Sequence, residues 1–220
     1  MTDLDVLDRT RRDYDGLAEA YDDLVRGSNS VDPLQTAMIT AFADLVRSGP
    51  SEADVLDAGC GPGHWTDHLD RLGVPARGID LSPAMIAIAR RYRPDLNFDV
   101  GSMFELAATD ASVAGVLAHF SLIHTPPRLV PVALAEFARV LVPGGTLLIA
   151  GQITDTAEGS GWKPYNHKAS PAYLWTLDVL ADQLRHHRFA ELARLRIAPP
   201  PQKRTPAGYL IVRRDVTASH

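Results

Sequence analysis

A chain of 220 residues, 45% hydrophobic and 22% charged, can bury one sizeable core and has the composition of an ordinary globular protein. Its net charge of −5 offers no field to gather nucleic-acid phosphates, and no apolar run approaches the ~20 residues that span a bilayer. The single cysteine, Cys60, excludes an intrachain disulfide and a multi-cysteine metal centre, and the eight histidines show no ligand spacing with carboxylates. The acidic opening Met1-Thr2-Asp3-Leu4-Asp5 is unlike a secretory signal, so the expectation is a cytoplasmic protein without metal, membrane or nucleic-acid partner.

Two helices are expected first, over 3–25 and 33–47. In the first, Leu4, Leu7, Tyr14, Leu17, Tyr21 and Leu24 recur at helical spacing. Gly27-Ser28-Asn29-Ser30 ends it, Asp32 can cap the second helix, and Pro33 suits that helix's first turn. Strands and helices then alternate: strand 53–57, a glycine turn, helix 64–72 and strand 75–80. Ser82 and Pro83 open a helix running to Tyr92, and strands 96–100 and 113–118 follow. Helix 127–141 leads through Pro143-Gly144-Gly145 into strand 146–150. Beyond it come a long loop, 151–170, a helix, 171–187, and strands 192–197 and 208–212 on either side of Pro199-Pro200-Pro201. This alternation is that of a doubly wound, mostly parallel α/β sheet in a single domain, with the loop as a candidate lid or substrate wall.

The turn Val55-Leu56-Asp57-Ala58-Gly59-Cys60-Gly61-Pro62-Gly63 joins a strand to a helix. Its glycines admit a ligand close to the backbone, and the helix start offers free N–H groups. The position of the third glycine in a dinucleotide fingerprint is held by His64. Asp57, just before the glycines, would repel a pyrophosphate but can pair with an ammonium such as the amino-acid end of S-adenosylmethionine. Asp80, about twenty residues on at the end of the next strand, is placed to accept hydrogen bonds from ribose hydroxyls.

Together these residues resemble the class I S-adenosylmethionine-dependent methyltransferases. The glycine turn is similar to that family's first motif, Gly78-Ile79-Asp80-Leu81-Ser82 to its second, and residues 139–149 to the helix-turn-strand closing its first half. The resemblance implies a Rossmann-like sheet of seven strands in the order 3-2-1-4-5-7-6, the seventh antiparallel. It also implies a helical cap over 1–48, a cofactor core over 50–150 and a substrate side over 151–220. Gly59 and Gly61 would flank the methionine moiety with Asp57 near it, and Cys60, a small packing residue in the turn, and His64 would be cofactor contacts. Asp80 would hold the ribose, and Leu81 and Met85 the adenine. In Gly101-Ser102-Met103 the family usually has Asp where Ser102 stands, so the adenine amino group would meet a neutral acceptor, and Met103 would offer its backbone N–H. The run His119-Phe120-Ser121-Leu122-Ile123-His124-Thr125-Pro126-Pro127 and the upstream Tyr14-Asp15-x-x-Ala18-x-x-Tyr21 resemble a subgroup of small bacterial members. Tyr14, Tyr21, His119 and Phe120 thereby join the expected cofactor contacts.

Methyl transfer is a displacement at an activated carbon, for which a protein aligns the acceptor and excludes water. His124, beyond the C-terminal edge of the fourth strand, is the candidate general base. Trp162, Tyr165, His167 and Lys168 in the long loop either line an acceptor pocket or stand in solvent. The expected activity is methylation of a small molecule, oxygen favoured, in a setting such as natural-product biosynthesis, with S-adenosylhomocysteine as product. The chain would act as monomer or homodimer. Two rivals stand beside this reading: a nicotinamide-dependent Rossmann reductase, against which Asp57 and His64 argue, and a non-catalytic S-adenosylmethionine-binding protein.

Overall fold

The computed structural model describes residues 3–27, 32–156, 159–199 and 205–216. Helices α1 (Asp3–Gly27) and α2 (Pro33–Arg47) come first, the latter capped by the Asp32 carboxylate, which accepts from the Leu34 N–H at 2.9 Å. Alternation follows: β1 (Val55–Ala58), α3 (His64–Arg71), β2 (Ala76–Asp80), α4 (Pro83–Tyr92) and β3 (Asn97–Val100). Ser82 caps α4 by accepting from the Met85 N–H at 3.1 Å. Next come β4 (Val113–His119), two short turns of 3₁₀ helix, α5 (Val130–Val140) and β5 (Leu141–Gln152). The chain closes with β6 (Trp162–Asn166), β7 (Pro171–Trp175), α6 (Leu177–His186), β8 (Phe189–Ile197) and β9 (Ala207–Arg214).

Seven of the strands form one sheet in the order β3-β2-β1-β4-β5-β9-β8. The pairings from β3 to β5 are all parallel, and β9 runs antiparallel to both its neighbours. Because β6 and β7 form a separate two-stranded sheet, β8 and β9 are the sixth and seventh strands of this one, and the order is the expected 3-2-1-4-5-7-6. Side chains alternate across the central strands, as a two-residue period requires. Val116, Ala118, Leu147 and Ile149 face α5 and α6, whereas Leu117, Leu148 and Ala150 face α2 and α3. Both faces are thus buried, and the C-terminal edges of β1, β2 and β4 come together at one rim.

Helix α1 lies against α4 at that rim, with Tyr14, Ala18 and Tyr21 packed on Met85 and Ile88. Leu17 and Leu24, expected on the same buried stripe, are exposed. The helix contacts its neighbour along the narrower stripe 14, 18, 21, one residue in every turn.

The other departures lie after β5. The segment 151–170, expected as a loop, contains β6, and the helix expected from residue 171 begins only at Leu177, capped by Thr176. In between, Pro171-Ala172-Tyr173-Leu174-Trp175 forms β7, burying Ala172 and Leu174 on one face. Trp162 sets its ring against Tyr173 and Trp175, the cross-strand aromatic contact that stabilises a two-stranded ribbon. Strand β5 starts at Leu141, five residues early, and β8 starts at Phe189. The expected breaker at 28–30 and most of the triple-proline bend lie outside the described residues.

Candidate active site

The glycine turn is held from below by β2: the N–H groups of Gly59 and Cys60 both donate to the Ile79 carbonyl, at 2.8 and 2.9 Å. Gly59 has φ +83°, and a Cβ there would stand 2.3 Å from the Cβ of Ser121, so only glycine brings β1 this close to the segment after β4. Asp80 closes β2. Its Oδ2 accepts from the Gly61 N–H and its Oδ1 from the Ser82 N–H, both at 2.9 Å. Burial raises its pKa, and these two backbone donors pull the other way.

Around this carboxylate opens a cleft walled by three segments of the chain. Helix α1 contributes Thr10, Arg11, Tyr14 and Tyr21 to its wall, and the turn contributes Gly59 and Gly61. Asp80, Leu81, Ser82 and Met85 form a second side with Met103; His119, Phe120, Ser121 and His124 form the third. Ser121 Oγ is buried without a hydrogen-bond partner among the described residues, and so is available to a ligand.

Four expected site residues do not line the cleft. Asp57 sits beneath the turn, where its Oδ2 accepts from the Thr66 hydroxyl at 2.7 Å. Burial pushes its pKa up to about 7, with the Thr66 bond opposing and the nearby Asp80 charge adding to the rise. Cys60 packs on Ile86, Ala89 and Phe98, and burial pushes its thiol up as well. His64 begins α3 with its ring against Trp65, 5.1 Å between centroids, and burial holds its pKa at about 4. Ser102 turns back on its own bend, where Oγ accepts from the Phe104 N–H at 3.2 Å. Conversely, Thr10, Arg11, Ser82 and Ser121 line the cleft and are not among the expected contacts. Thr10 and Arg11 stand four and three residues before Tyr14 on one helix, a spacing that would have found them.

The α1 wall is fixed by charge. Asp15 Oδ1 accepts from Ser82 Oγ at 2.6 Å and from the Ala84 N–H at 3.3 Å, while its Oδ2 accepts from Arg11 at 2.9 Å. Arg91 makes two bonds of 3.0 Å to Glu19, and Arg26 donates to the Pro62 carbonyl at 3.0 Å. Opposite, His119 is held through Nε2 by the Gln35 amide at 2.8 Å, and burial keeps its pKa at about 3.

His124 is buried, and its Nδ1 lies 2.9 Å from the Pro171 carbonyl at the start of β7. A carbonyl only accepts, so Nδ1 carries the hydrogen. Burial lowers the pKa to about 4, which leaves the ring neutral and Nε2 an acceptor at neutral pH. Tyr14 Oη occupies that position at 2.8 Å. The imidazole therefore does not present a bare Nε2 to the cleft; the Tyr14 phenol stands on it. From the expected loop cluster, His167 packs on His124 at 5.1 Å, while Trp162, Tyr165 and Lys168 stay outside the cleft wall.

The sheet order, the glycine turn closing β1 and the acid ending β2 are those of the class I S-adenosylmethionine-dependent methyltransferase fold. Residues 55–145 match the methyltransferase domain model. The chain is 32% identical over 124 residues to a dTDP-3-amino-3,4,6-trideoxy-alpha-D-glucopyranose N,N-dimethyltransferase of Streptomyces venezuelae, covering 55% of this chain and 52% of that one. It spans about half the length of the curated relatives it matches. A Burkholderia thailandensis 1,6-didemethyltoxoflavin-N1-methyltransferase, solved with 1,6-didemethyltoxoflavin and S-adenosylhomocysteine, superposes with a TM-score of 0.77 at 23% identity, over 98% of this chain and 91% of that one. The cyclase SpnF superposes with a TM-score of 0.76 at 16% identity, over 94% and 95%. At these identities the likeness is one of fold. No helix among the described residues is long and apolar enough to cross a membrane.

Proposed function

We propose that the protein transfers a methyl group from S-adenosylmethionine to a small-molecule acceptor bound between α1 and the segment after β4. The observation that carries this reading is Asp80, half-buried in the cleft wall, with one oxygen accepting from the Gly61 N–H and the other from the Ser82 N–H, and with acceptor capacity left for a diol. The residues fit the cofactor. Leu81, Met85 and Met103 offer an apolar bed for a purine. Gly59 and Gly61, without side chains, and the unpartnered Ser121 hydroxyl suit its polar amino-acid end. Bound there, the cofactor supplies a methyl group activated by a sulfonium leaving group. The chain's own contribution is to hold the acceptor in line and dry, with α1 closing the cleft. His124 serves as base through the Tyr14 hydroxyl rather than by direct contact with the acceptor. Relatives named for nitrogen methylation and for oxygen methylation leave both atoms open as acceptors.

Thermal shift with S-adenosylmethionine, S-adenosylhomocysteine and NAD tests the cofactor. Both sulfur ligands should raise Tm, NAD should not, and Asp80→Ala should abolish the shift; stabilisation by NAD alone would overturn the reading. Because the same fold occurs in a cyclase, binding must be joined to turnover. Mass spectrometry should find S-adenosylhomocysteine and a product heavier by one methyl group when S-adenosylmethionine and a pool of small metabolites are supplied.

A further inference from the structure

The hairpin β6–β7 reaches the cleft wall at His124 through the Pro171 carbonyl oxygen, and that atom decides what the far wall offers to a ligand. It takes the Nδ1 hydrogen of His124 at 2.9 Å. The neutral ring then has only a lone pair at Nε2, and Tyr14 Oη at 2.8 Å must donate to it. A phenol has one hydrogen. With that hydrogen committed to His124, Tyr14 can offer the cleft only lone pairs. The cation on the same wall, Arg11, is already paired, donating to Asp8 at 2.7 Å and Asp15 at 2.9 Å. On this wall an anionic acceptor would therefore meet lone pairs and a neutralised guanidinium, whereas an acceptor bearing N–H or O–H would meet a ready partner.

We propose that Tyr14, oriented by His124 and the Pro171 carbonyl, selects a methyl acceptor that carries a hydrogen on or beside the atom to be methylated, a hydroxyl or an amine, and excludes carboxylates. The proposal rests on the methyltransferase reading above. Tyr14 is the group that touches the acceptor; His124 is a positioning residue that acts through it. When a protonated nucleophile forms its bond to the methyl carbon, the carbon–sulfur bond breaks and its electron pair stays on sulfur. The nucleophile's proton passes to Tyr14 Oη as the Tyr14 proton passes to His124 Nε2. The cleft carries one positive charge before and after, first on sulfur and then on imidazole, so the step creates no additional buried charge.

The test uses the complex with S-adenosylhomocysteine, titrated with phenol, aniline and benzoate as three probes of one ring size. Phenol and aniline should bind about tenfold more tightly than benzoate, the factor expected of one hydrogen bond gained against one left unmade. In Tyr14→Phe at saturating S-adenosylhomocysteine that preference should vanish. Benzoate binding as tightly as phenol, no ring binding at all, or a preference that survives Tyr14→Phe would each overturn the proposal. Should the variant not fold, nitrogen-15 spectra of the native protein without ligand decide independently. They should show His124 neutral with the hydrogen on Nδ1 at neutral pH, and a hydrogen on Nε2 would overturn it. A protein that shows this tautomer but does not bind S-adenosylhomocysteine would refute the cofactor reading instead.

Discussion

At Gly59 a single hydrogen atom in place of a methyl group decides whether the cleft exists. The Cβ of Gly59→Ala would lie 2.3 Å from Ser121 Cβ, which is the wall of the cleft and not a flexible tip. The backbone at φ +83° adds a second penalty. The variant should lose about 1–3 kcal/mol of stability in urea unfolding and bind S-adenosylhomocysteine at least about tenfold more weakly. Adding Ser121→Gly removes the clash but not the strained φ, so stability should return only in part; full stability in the single variant would contradict this account. Asp80 makes a related case. Its two oxygens each accept a backbone N–H, so Asp80→Asn must turn its amide N–H₂ toward either Gly61 or Ser82, setting donor against donor. We expect this near-isosteric change to cost about 1–3 kcal/mol, comparable to leaving a buried polar group unsatisfied. An Asp80→Asn protein with native Tm and native ligand affinity would show that the carboxylate is not needed in this form. These residues were legible because each carries a spacing: strand, glycines, and an acid at the end of the next strand. Ser121 was not picked out, because its importance comes from a contact across 62 positions of sequence.

The elements above the rim act as units, and α1 is the one whose attachment can be tested. Asp15 holds it to the start of α4 through Ser82 Oγ and the Ala84 N–H, while Ser82 Oγ also caps α4. Asp15→Ala should leave the core intact but speed amide hydrogen exchange along α1, and weaken S-adenosylhomocysteine binding by about tenfold, roughly one lost charged hydrogen bond. Glu19→Ala, which breaks the exposed pair with Arg91, should change little, since solvent screens such a pair. Equal effects from the two variants would mean that α1 is not clamped at Asp15. The legibility of the fold divides at the same level. Helices and strands up to residue 150 follow from local signals, with Pro33, Ser82 and Pro83 marking helix starts and short apolar, β-rich runs marking strands. The hairpin β6–β7 does not: Gly159, Gly161 and Pro164 read as loop, and β7 is only five residues long. Its strands exist because Trp162 meets Tyr173 and Trp175, a pairing that no local pattern announces. Without the hairpin, the sequence holds no sign of the Pro171 carbonyl behind His124 or of the tautomer it sets.

At the scale of the whole molecule, burial of the rim makes stability depend on pH in a direction that can be worked out. Helix α1 covers the C-terminal edge of the sheet and the start of α2 reaches it through Gln35, and around them His64, His119 and His124 are held at about 4, 3 and 4, against an ordinary value of 6.5. The unfolded chain therefore binds protons that the folded chain refuses, over the interval between those values and 6.5. The contribution of each histidine is complete above pH 6.5 and is lost as pH falls toward 4, at up to about 1.4 kcal/mol per pH unit. Asp57, raised to about 7, works oppositely: the folded chain keeps a proton that the unfolded chain releases above 3.8, so its share improves as pH falls from 7. Asp80 is raised by the same cause and acts in the same sense. His68, His167 and His187 are lowered by partial burial and add to the side of the three deeper histidines. Histidines thus outweigh carboxyls, and the net slope is toward lower stability in acid. Urea unfolding should give a smaller free energy at pH 5.0 than at pH 7.5, and His124→Gln should shrink the difference, because it removes one of the groups that resists protonation. A protein equally stable at both values would mean that water reaches these rings, and that the rim is open rather than sealed by α1 and α2.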